Sequence, residues 1–361
     1  MDFSQRLHKW MEPVWRGRRV TDECVLFTRL SEGQPVRPCR LLFKPDKILE
    51  VRSDYLDIVF EEGRVYRADN GEIALCEGSR IPFFDYDELF LREPASIPIK
   101  SVHAPGRYVR YEAEGVETIK RQVKVTYIHK EECTLSLPGN LEAFLPRTLY
   151  KLVHKQPLKI VFYGDSFMAG CDASGRTGLA PYMPQLDRLT AFKLAERYKH
   201  SKIHCVNTAV GGTTSQWGLE NLQSRVLDLQ PDLTVLRFGV NDCSSGTPAA
   251  VCAENMHAMA HALRNALHPG ECLIMTCDLP SEGCDGWMGT NGELEAALDQ
   301  RIENEEGLAI LHIKTLYEQI RAIKGYYSLT TNFVNHPNDF MIRLYAQLLC
   351  SALGVYSEVD E

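Results

Sequence analysis

The chain has 361 residues, of which 44% are hydrophobic and 24% charged, and its formal net charge is −8. This composition excludes a disordered chain, a collagen and a coiled coil, and the length favours two domains or one large one. The acidic balance disfavours a nucleic-acid partner or an anionic membrane surface, because both require clustered basic residues. No apolar stretch is long enough to span a bilayer, and the N-terminus lacks the pattern of a secretory signal.

The twelve cysteines stand singly along the chain, without a C-x-x-C pair. We therefore expect free, mostly buried thiols, no bound metal and a cytoplasmic location. Disulfide or metal roles for some of them stay open as alternatives.

Short β-like runs, broken by Gly, Pro and Asp, dominate residues 1–145 after a short helical pattern in the first dozen residues. The runs lie at 39–43, 48–51, 56–60, 65–67, 108–112 and 123–128. The stretch 123–127 alternates apolar and polar side chains, which predicts one sheet face on a core and the other in water. Closely spaced strands without long helices between them predict an all-β domain, a jelly-roll-like antiparallel sandwich.

The pattern changes in residues 146–361, which we predict to be a second domain joined through a linker at 139–156. Continuous apolar runs, typical of buried parallel strands, lie at 158–163, 203–206, 233–238, 272–276 and 309–313. Between them apolar residues recur every three or four positions, as in 256–267 and 341–352. Alternating strands and helices predict an α/β fold, a three-layer α/β/α domain with a parallel sheet.

Polar blocks follow these strands, at the sheet edge where reactive groups gather in such folds. They are G-D-S with Ser166, N-x-x-x-x-G with Gly212, G-x-N-D with Asn241, and H-P-N-D with His336 before the last helix. Acyl transfer needs a hydroxyl with a base to accept its proton, and fixed N–H donors for the oxyanion. Histidine is the usual base, and glycine backbone and asparagine amide groups are suitable donors. The four residues therefore predict a serine hydrolase site.

In this order, over residues 158–354, the blocks resemble the SGNH (GDSL-type) hydrolases. The resemblance implies that Ser166 is the nucleophile and gives one oxyanion N–H, and that Gly212 and Asn241 give two more. It further implies that His336 acts as general base and then as acid, with no metal or organic cofactor.

One position departs from the family, which carries an acidic residue three positions before the histidine to orient it. This chain has Phe333 there. The candidates to replace the acid are Asp339, Asn332, Asn335 or a backbone carbonyl. The two-domain layout is also similar to that of carbohydrate acetyl esterases, which implies that a Ser–His dyad is a further alternative.

Three more residues are candidates for the pocket, two of them within the blocks and one after the second block. We expect Asp165 and Asp242 to hold the loops by accepting backbone N–H bonds. Trp217 either lines the pocket or packs on its own helix.

We predict a serine esterase that removes small acyl groups, acetyl above all, from a small-molecule or carbohydrate ester, without a nucleic-acid or membrane partner. The carbohydrate part is implied by the resemblance alone. The alternatives are an acyltransferase with the same site, a lysophospholipase-like esterase, and a non-catalytic carbohydrate-binding protein. The oligomeric state stays open.

Overall fold

The computed structural model describes residues 2–199 and 202–357. The N-terminal part begins with the predicted short helix and contains mainly antiparallel strands. Its helices are α1 (Phe3–Trp10), α2 (Tyr86–Leu89) and α3 (Val116–Arg121). Its strands are β1 (Arg19–Val25), β2 (Cys39–Arg40), β3 (Pro45–Ser53), β4 (Tyr66–Asp69), β5 (Glu72–Leu75), β6 (Phe90–Leu91), β7 (Tyr108–Val109) and β8 (Val123–His129).

These strands pair as β1-β8-β3, β2-β5-β4 and β6-β7, and each pairing is antiparallel. The pairings confirm a β-rich N-terminal domain. Its arrangement as a jelly-roll-like sandwich stays a prediction. So does the boundary at residue 145, which is the residue before the first helix of the C-terminal part.

The expectation that one face of strand β8 meets water is wrong. Lys124 and Thr126, on the polar side of the strand, are both buried. Lys124 Nζ lies 2.9 Å from Asp54 Oδ1 and 3.6 Å from Asp339 Oδ2, and Asp339 belongs to the C-terminal part. The face carries polar residues because it is an interface with internal charge partners, which alternation along one strand cannot distinguish from a solvated face.

The C-terminal part contains the five predicted parallel strands. They are β9 (Leu158–Gly164), β10 (Ile203–Asn207), β11 (Leu233–Arg237), β12 (Glu271–Met275) and β13 (Leu308–Leu311). The helices are α4 (Pro146–Val153), α5 (Ser174–Thr177), α6 (Leu186–Tyr198), α7 (Ser215–Arg225), α8 (Val240–Ser244), α9 (Ala249–Arg264), α10 (Leu294–Arg301), α11 (Lys314–Lys324) and α12 (Asp339–Ala352). The sheet order is β10-β9-β11-β12-β13, and all pairs are parallel.

The sheet is buried on both faces, which explains its continuous apolar runs. Along β9, Ile160 and Phe162 belong to one buried apolar cluster, whereas Val161 and Tyr163 belong to another. Successive side chains of a strand point to opposite faces, so the two clusters lie on opposite sides of the sheet. This arrangement confirms the three-layer α/β/α domain.

The two parts of the chain share one core. The first cluster combines residues of the N-terminal strands, such as Val25 and Val51, with Leu344 and Leu348 of α12. A buried ion pair also joins Glu23 of β1 to Lys324 of α11. The hydroxyl group of Tyr127 donates a second hydrogen bond to Glu23, at 2.7 Å. Buried charges need such partners, so this pairing fixes how the two parts meet.

All twelve cysteines lie in the described part, where their thiols are free and eight of them are buried. No helix within residues 2–199 and 202–357 is both long and apolar enough to cross a membrane. Within the same ranges, no group of three His, Cys, Asp or Glu side chains is placed to hold a metal ion.

Candidate active site

The nucleophile loop starts where β9 ends. An added Cβ on Gly164 would lie only 2.2 Å from the carbonyl oxygen of Arg237, so only glycine permits this close approach of two strands. Asp165 follows, and its Oδ1 accepts the backbone N–H of Phe167 at 3.0 Å. This bond closes a tight turn that contains Ser166, of which 9% is exposed.

His336 lies in the loop before α12, and its side chain contacts this turn. Its Nε2 lies 3.0 Å from Ser166 Oγ, which is hydrogen-bond distance. The imidazole is also only 9% exposed. A hydroxyl group can therefore transfer its proton directly to the ring, as serine-based acyl transfer requires.

The carboxylate beside the imidazole is Asp172, which we did not predict from the sequence. Asp172 Oδ2 lies 3.0 Å from His336 Nδ1. The two atoms are close, but their alignment is not that of a straight hydrogen bond from Nδ1. Thr331 Oγ1 donates to the same oxygen at 2.8 Å. Asp172 itself is buried and has a left-handed backbone, with φ of 66°.

The three residues that we considered as substitutes for the family acid have other contacts. Asp339 accepts hydrogen bonds from the hydroxyl and backbone N–H of Ser174, at 2.7 and 3.0 Å. Asn332 Oδ1 accepts the backbone N–H groups of residues 334–336, at 2.9 to 3.0 Å, and Asn332 Nδ2 donates to Asn335 Oδ1. These residues shape the histidine loop, and the carboxylate at Nδ1 comes from Asp172 instead.

The sequence holds one weak signal for Asp172. It lies six positions after Ser166, in the segment that follows the G-D-S block. An acid so close in sequence to the nucleophile is not part of the four blocks, and only the fold brings it to the histidine.

The candidate oxyanion donors come from the second and third blocks. An added Cβ on Gly211 would lie 3.7 Å from Ser166 Cβ, so this backbone passes directly beside the nucleophile. At Gly212 the φ is 77° and an added Cβ would face open space. Asn241 Nδ2 donates to the carbonyl oxygen of Thr213 at 2.9 Å, which fixes its amide beside the same loop. Since that amide group has two N–H bonds, one is left for a substrate oxygen.

Asp242, in the third block, binds Ser215, which follows the glycine loop of the second block. Its carboxylate oxygens accept the backbone N–H of Ser215 at 2.9 and 3.0 Å and the Ser215 hydroxyl at 2.5 Å. Ser215 begins α7, directly after the glycine loop. The carboxylate therefore holds the glycine loop close to Asn241.

A buried arginine supports the nucleophile turn. Arg237 Nη1 lies 3.1 Å from Asp165 Oδ1, and Nη2 lies 2.6 Å from Asp278 Oδ1. The guanidinium carbon lies 3.7 Å from the ring centre of Phe167. Burial raises the pKa of Asp165 and of Asp278, and Arg237 opposes that rise. Arg237 thus fixes the turn at both neighbours of Ser166.

The contacts shown for the candidate pocket residues Asp165, Asp242 and Trp217 are contacts within the domain. The two carboxylates are buried and bound within the loops. The Trp217 ring packs 6.3 Å from the ring of Tyr163, and the Arg225 guanidinium lies 5.5 Å above it. Trp217 is therefore a packing residue of α7 on the apolar layer behind the sheet.

Residues 162–340 match the model of the GDSL-like Lipase/Acylhydrolase family. That segment contains Ser166, Asp172 and His336 as well as the candidate oxyanion donors Gly212 and Asn241. The segment that carries the candidate site is therefore similar to the domains of this family.

Two solved structures resemble this chain at low identity. One is a two-domain esterase active on acetylated mannans, co-crystallised with mannopentaose, at 19% identity and a TM-score of 0.48. The match covers 61% of this chain and 55% of that esterase, so it spans about half of that protein. The other is a catalytic mutant of the acetylxylan esterase Axe2 from Geobacillus stearothermophilus, at 16% identity and a TM-score of 0.46, covering 55% of this chain and 94% of that one. A search of curated proteins found no match.

The contact between Asp172 and His336 predicts a loss of turnover in the Asp172→Asn variant. This change keeps the side-chain size and removes the charge that stabilises the protonated imidazole. We expect kcat for an activated acetyl ester to fall by roughly 10²–10⁴-fold, the scale for a lost orienting carboxylate. Asp339→Asn is the matched control, and its loss should be much smaller because Asp339 contacts Ser174. Equal losses in the two variants would contradict the assignment of Asp172.

The buried position of Arg237 predicts a loss of stability in Arg237→Met, which leaves Asp165 and Asp278 without their common cation. Removing one partner of a buried ion pair costs about 3–5 kcal/mol of unfolding free energy. Urea denaturation followed by circular dichroism measures it. Arg67→Met, at an exposed arginine of β4, should change stability by less than about 0.5 kcal/mol. A similar small change at Arg237 would show that the network is dispensable.

Proposed function

We propose that this protein is a serine esterase that removes small acyl groups, acetyl above all, from carbohydrate esters through an acyl-enzyme. The proposal depends on one observation, the Ser166–His336–Asp172 array, in which the imidazole lies 3.0 Å from both the hydroxyl oxygen and the carboxylate oxygen. Geometry of this kind is the signature of nucleophilic acyl transfer.

The steps follow from these contacts. Ser166 Oγ attacks the carbonyl carbon of the ester while its proton passes to His336 Nε2. The negative oxygen then faces the glycine loop and the free N–H of Asn241. The tetrahedral intermediate collapses, the bond to the alcohol breaks, and His336 returns the proton to the leaving oxygen. A water molecule repeats the sequence on the acyl-enzyme, releases the acid and restores Ser166.

The surroundings of Ser166 support a short acyl group. The loops beside the nucleophile present glycine backbone at Gly211 and polar side chains at Asn241 and Asn335. Binding a long acyl chain requires apolar surface, which contributes about 0.8 kcal/mol for each buried CH₂ group. The carbohydrate part of the proposal is supported by the sequence resemblance to two-domain acetyl esterases. The cytoplasmic location stays a prediction from the sequence.

The Ser166→Ala variant tests the reaction and the chain length together. We expect wild-type protein to hydrolyse p-nitrophenyl acetate and acetylated oligosaccharides. The variant should lose nearly all of this activity, because it lacks the hydroxyl group that lies 3.0 Å from His336 Nε2. The kcat/KM should fall as the acyl group lengthens from acetyl to octanoyl. Equal rates in the two proteins would refute the serine mechanism, and a preference for octanoyl would favour a lipid ester instead.

The amide of Asn241 gives a separate prediction for the oxyanion. Asn241→Ala should lower kcat by about 10²–10³-fold, since a donor aimed at the developing charge is worth that much. The KM should change little, because the interaction strengthens mainly in the transition state. Steady-state kinetics with the acetyl ester measures both constants, and an unchanged kcat would remove Asn241 from the oxyanion site.

A further inference from the structure

The histidine loop is anchored in the N-terminal domain at its tip. Residues 329–338 fold back on themselves, with the backbone N–H of Thr331 donating to the carbonyl oxygen of His336 at 3.1 Å. At the tip, Phe333 is buried and its ring meets the ring of Phe84 edge-on, with centres 5.2 Å apart. The two rings belong to an apolar cluster that consists mostly of N-terminal residues. The tip of a catalytic loop is thus part of the core of the other domain.

The base of the loop is held by one N-terminal segment, residues 115–124. Gln122 Nε2 donates to the carbonyl oxygen of Thr330 at 3.1 Å, in a buried position. Lys124 faces Asp339, whose carboxylate binds Ser174 in the loop after the nucleophile. The same segment therefore contacts both loops that bring the catalytic groups together.

Gly115, at the start of this segment, lies beside Thr331 and the carboxylate of Asp172. An added Cβ there would lie 2.7 Å from Thr331 Cβ, 2.9 Å from the Thr331 carbonyl oxygen and 3.2 Å from Asp172 Oδ2. Thr331 is the residue whose hydroxyl donates to that same carboxylate oxygen. Asp172 Oδ1 has no hydrogen-bond partner within the described residues, so this carboxylate depends on few contacts for its position.

We propose that the N-terminal domain is part of the catalytic site, and that Gly115 is a positioning residue that holds Asp172 against His336 through Thr331. The inference rests on the proposed function, since it assigns Asp172 its role in the relay. Any side chain at position 115 must displace Thr331, because the Cβ and the carbonyl oxygen of Thr331 lie closer than a Cβ contact permits. It would also make a tight contact with the carboxylate oxygen of Asp172, at 3.2 Å. A displaced carboxylate no longer stabilises the imidazolium, so the nucleophile loses its base.

The experiment compares Gly115→Ala with Gly106→Ala. Both glycines have a left-handed backbone, with φ of 60° and 80°, so alanine is strained at both positions. Only Gly115 has neighbours, because an added Cβ on Gly106 meets nothing within 4 Å. The readouts are kcat and KM for the acetyl ester and the rate at which a fluorophosphonate labels Ser166, releasing fluoride. Thermal unfolding of both variants monitors the fold.

We expect Gly115→Ala to lower kcat and the labelling rate on the order of 10–100-fold, as for a small misplacement of catalytic groups. The KM of this variant and all constants of Gly106→Ala should stay within about twofold of wild type. In the Asp172→Asn background, adding Gly115→Ala should lower kcat and the labelling rate by less than about twofold, because the displaced side chain has already lost its charge. Equal losses in the two glycine variants, or an undiminished loss in the Asp172→Asn background, would overturn the proposal.

A second variant decides the matter if Gly115→Ala does not fold. Gln122→Ala removes the bond to the Thr330 carbonyl oxygen without adding an atom, and it should lower the labelling rate severalfold in wild type but not in the Asp172→Asn background. Failure of the proposed function gives a different result. Wild-type protein that is labelled at Ser166 but hydrolyses no acetyl ester would refute the function, and the labelling rates would still decide the role of Gly115.

Discussion

The position of one imidazole ring is the constraint on which the site depends. His336 must reach Ser166 with one nitrogen and a carboxylate with the other, and both distances are 3.0 Å. Ser166 and Asp172 lie in the loop after β9, whereas His336 lies in the loop before α12, so no local preference of the chain can align all three groups. Supporting contacts therefore surround each loop: Arg237 behind the nucleophile turn, Asp242 under the glycine loop, and Thr331 on the acid.

The site differs from the SGNH pattern in the position of its acid. The residue three positions before the histidine is Phe333, and the carboxylate at the imidazole belongs to Asp172. A side chain three positions before the histidine points, in this chain, into the apolar cluster around Phe84. A carboxylate at that point would be buried without a partner, which is costly. The acid comes instead from the loop after the nucleophile. Anchoring the histidine loop in the N-terminal domain and moving the acid to Asp172 are thus two parts of one arrangement.

The sheet and the four blocks were predictable because they depend on local rules. Buried parallel strands are apolar throughout, and their carboxyl ends meet at one edge of the sheet. The sequence therefore predicts one shared site for Ser166, Gly212, Asn241 and His336. Asp172 could not, because its contact with His336 joins loops that are far apart in sequence and depends on a left-handed backbone at position 172. The burial of Lys124 was missed for a related reason, since its partners Asp54 and Asp339 come from distant segments.

The buried charges between the two parts of the chain are better understood as positioning devices than as a source of stability. Taking an ion pair out of water costs about as much as the pair returns, so a well-packed apolar interface would hold the domains equally firmly. An apolar interface, however, tolerates a shift of one residue. The ion pairs form in one register only, and they join Glu23 to Lys324 and Lys124 to Asp54 and Asp339. Because Asp339 also binds Ser174, two residues after Asp172, that register extends to the catalytic loop. A site whose acid is held across a domain boundary needs such a fixed register, and the sharing of one core between the domains maintains it.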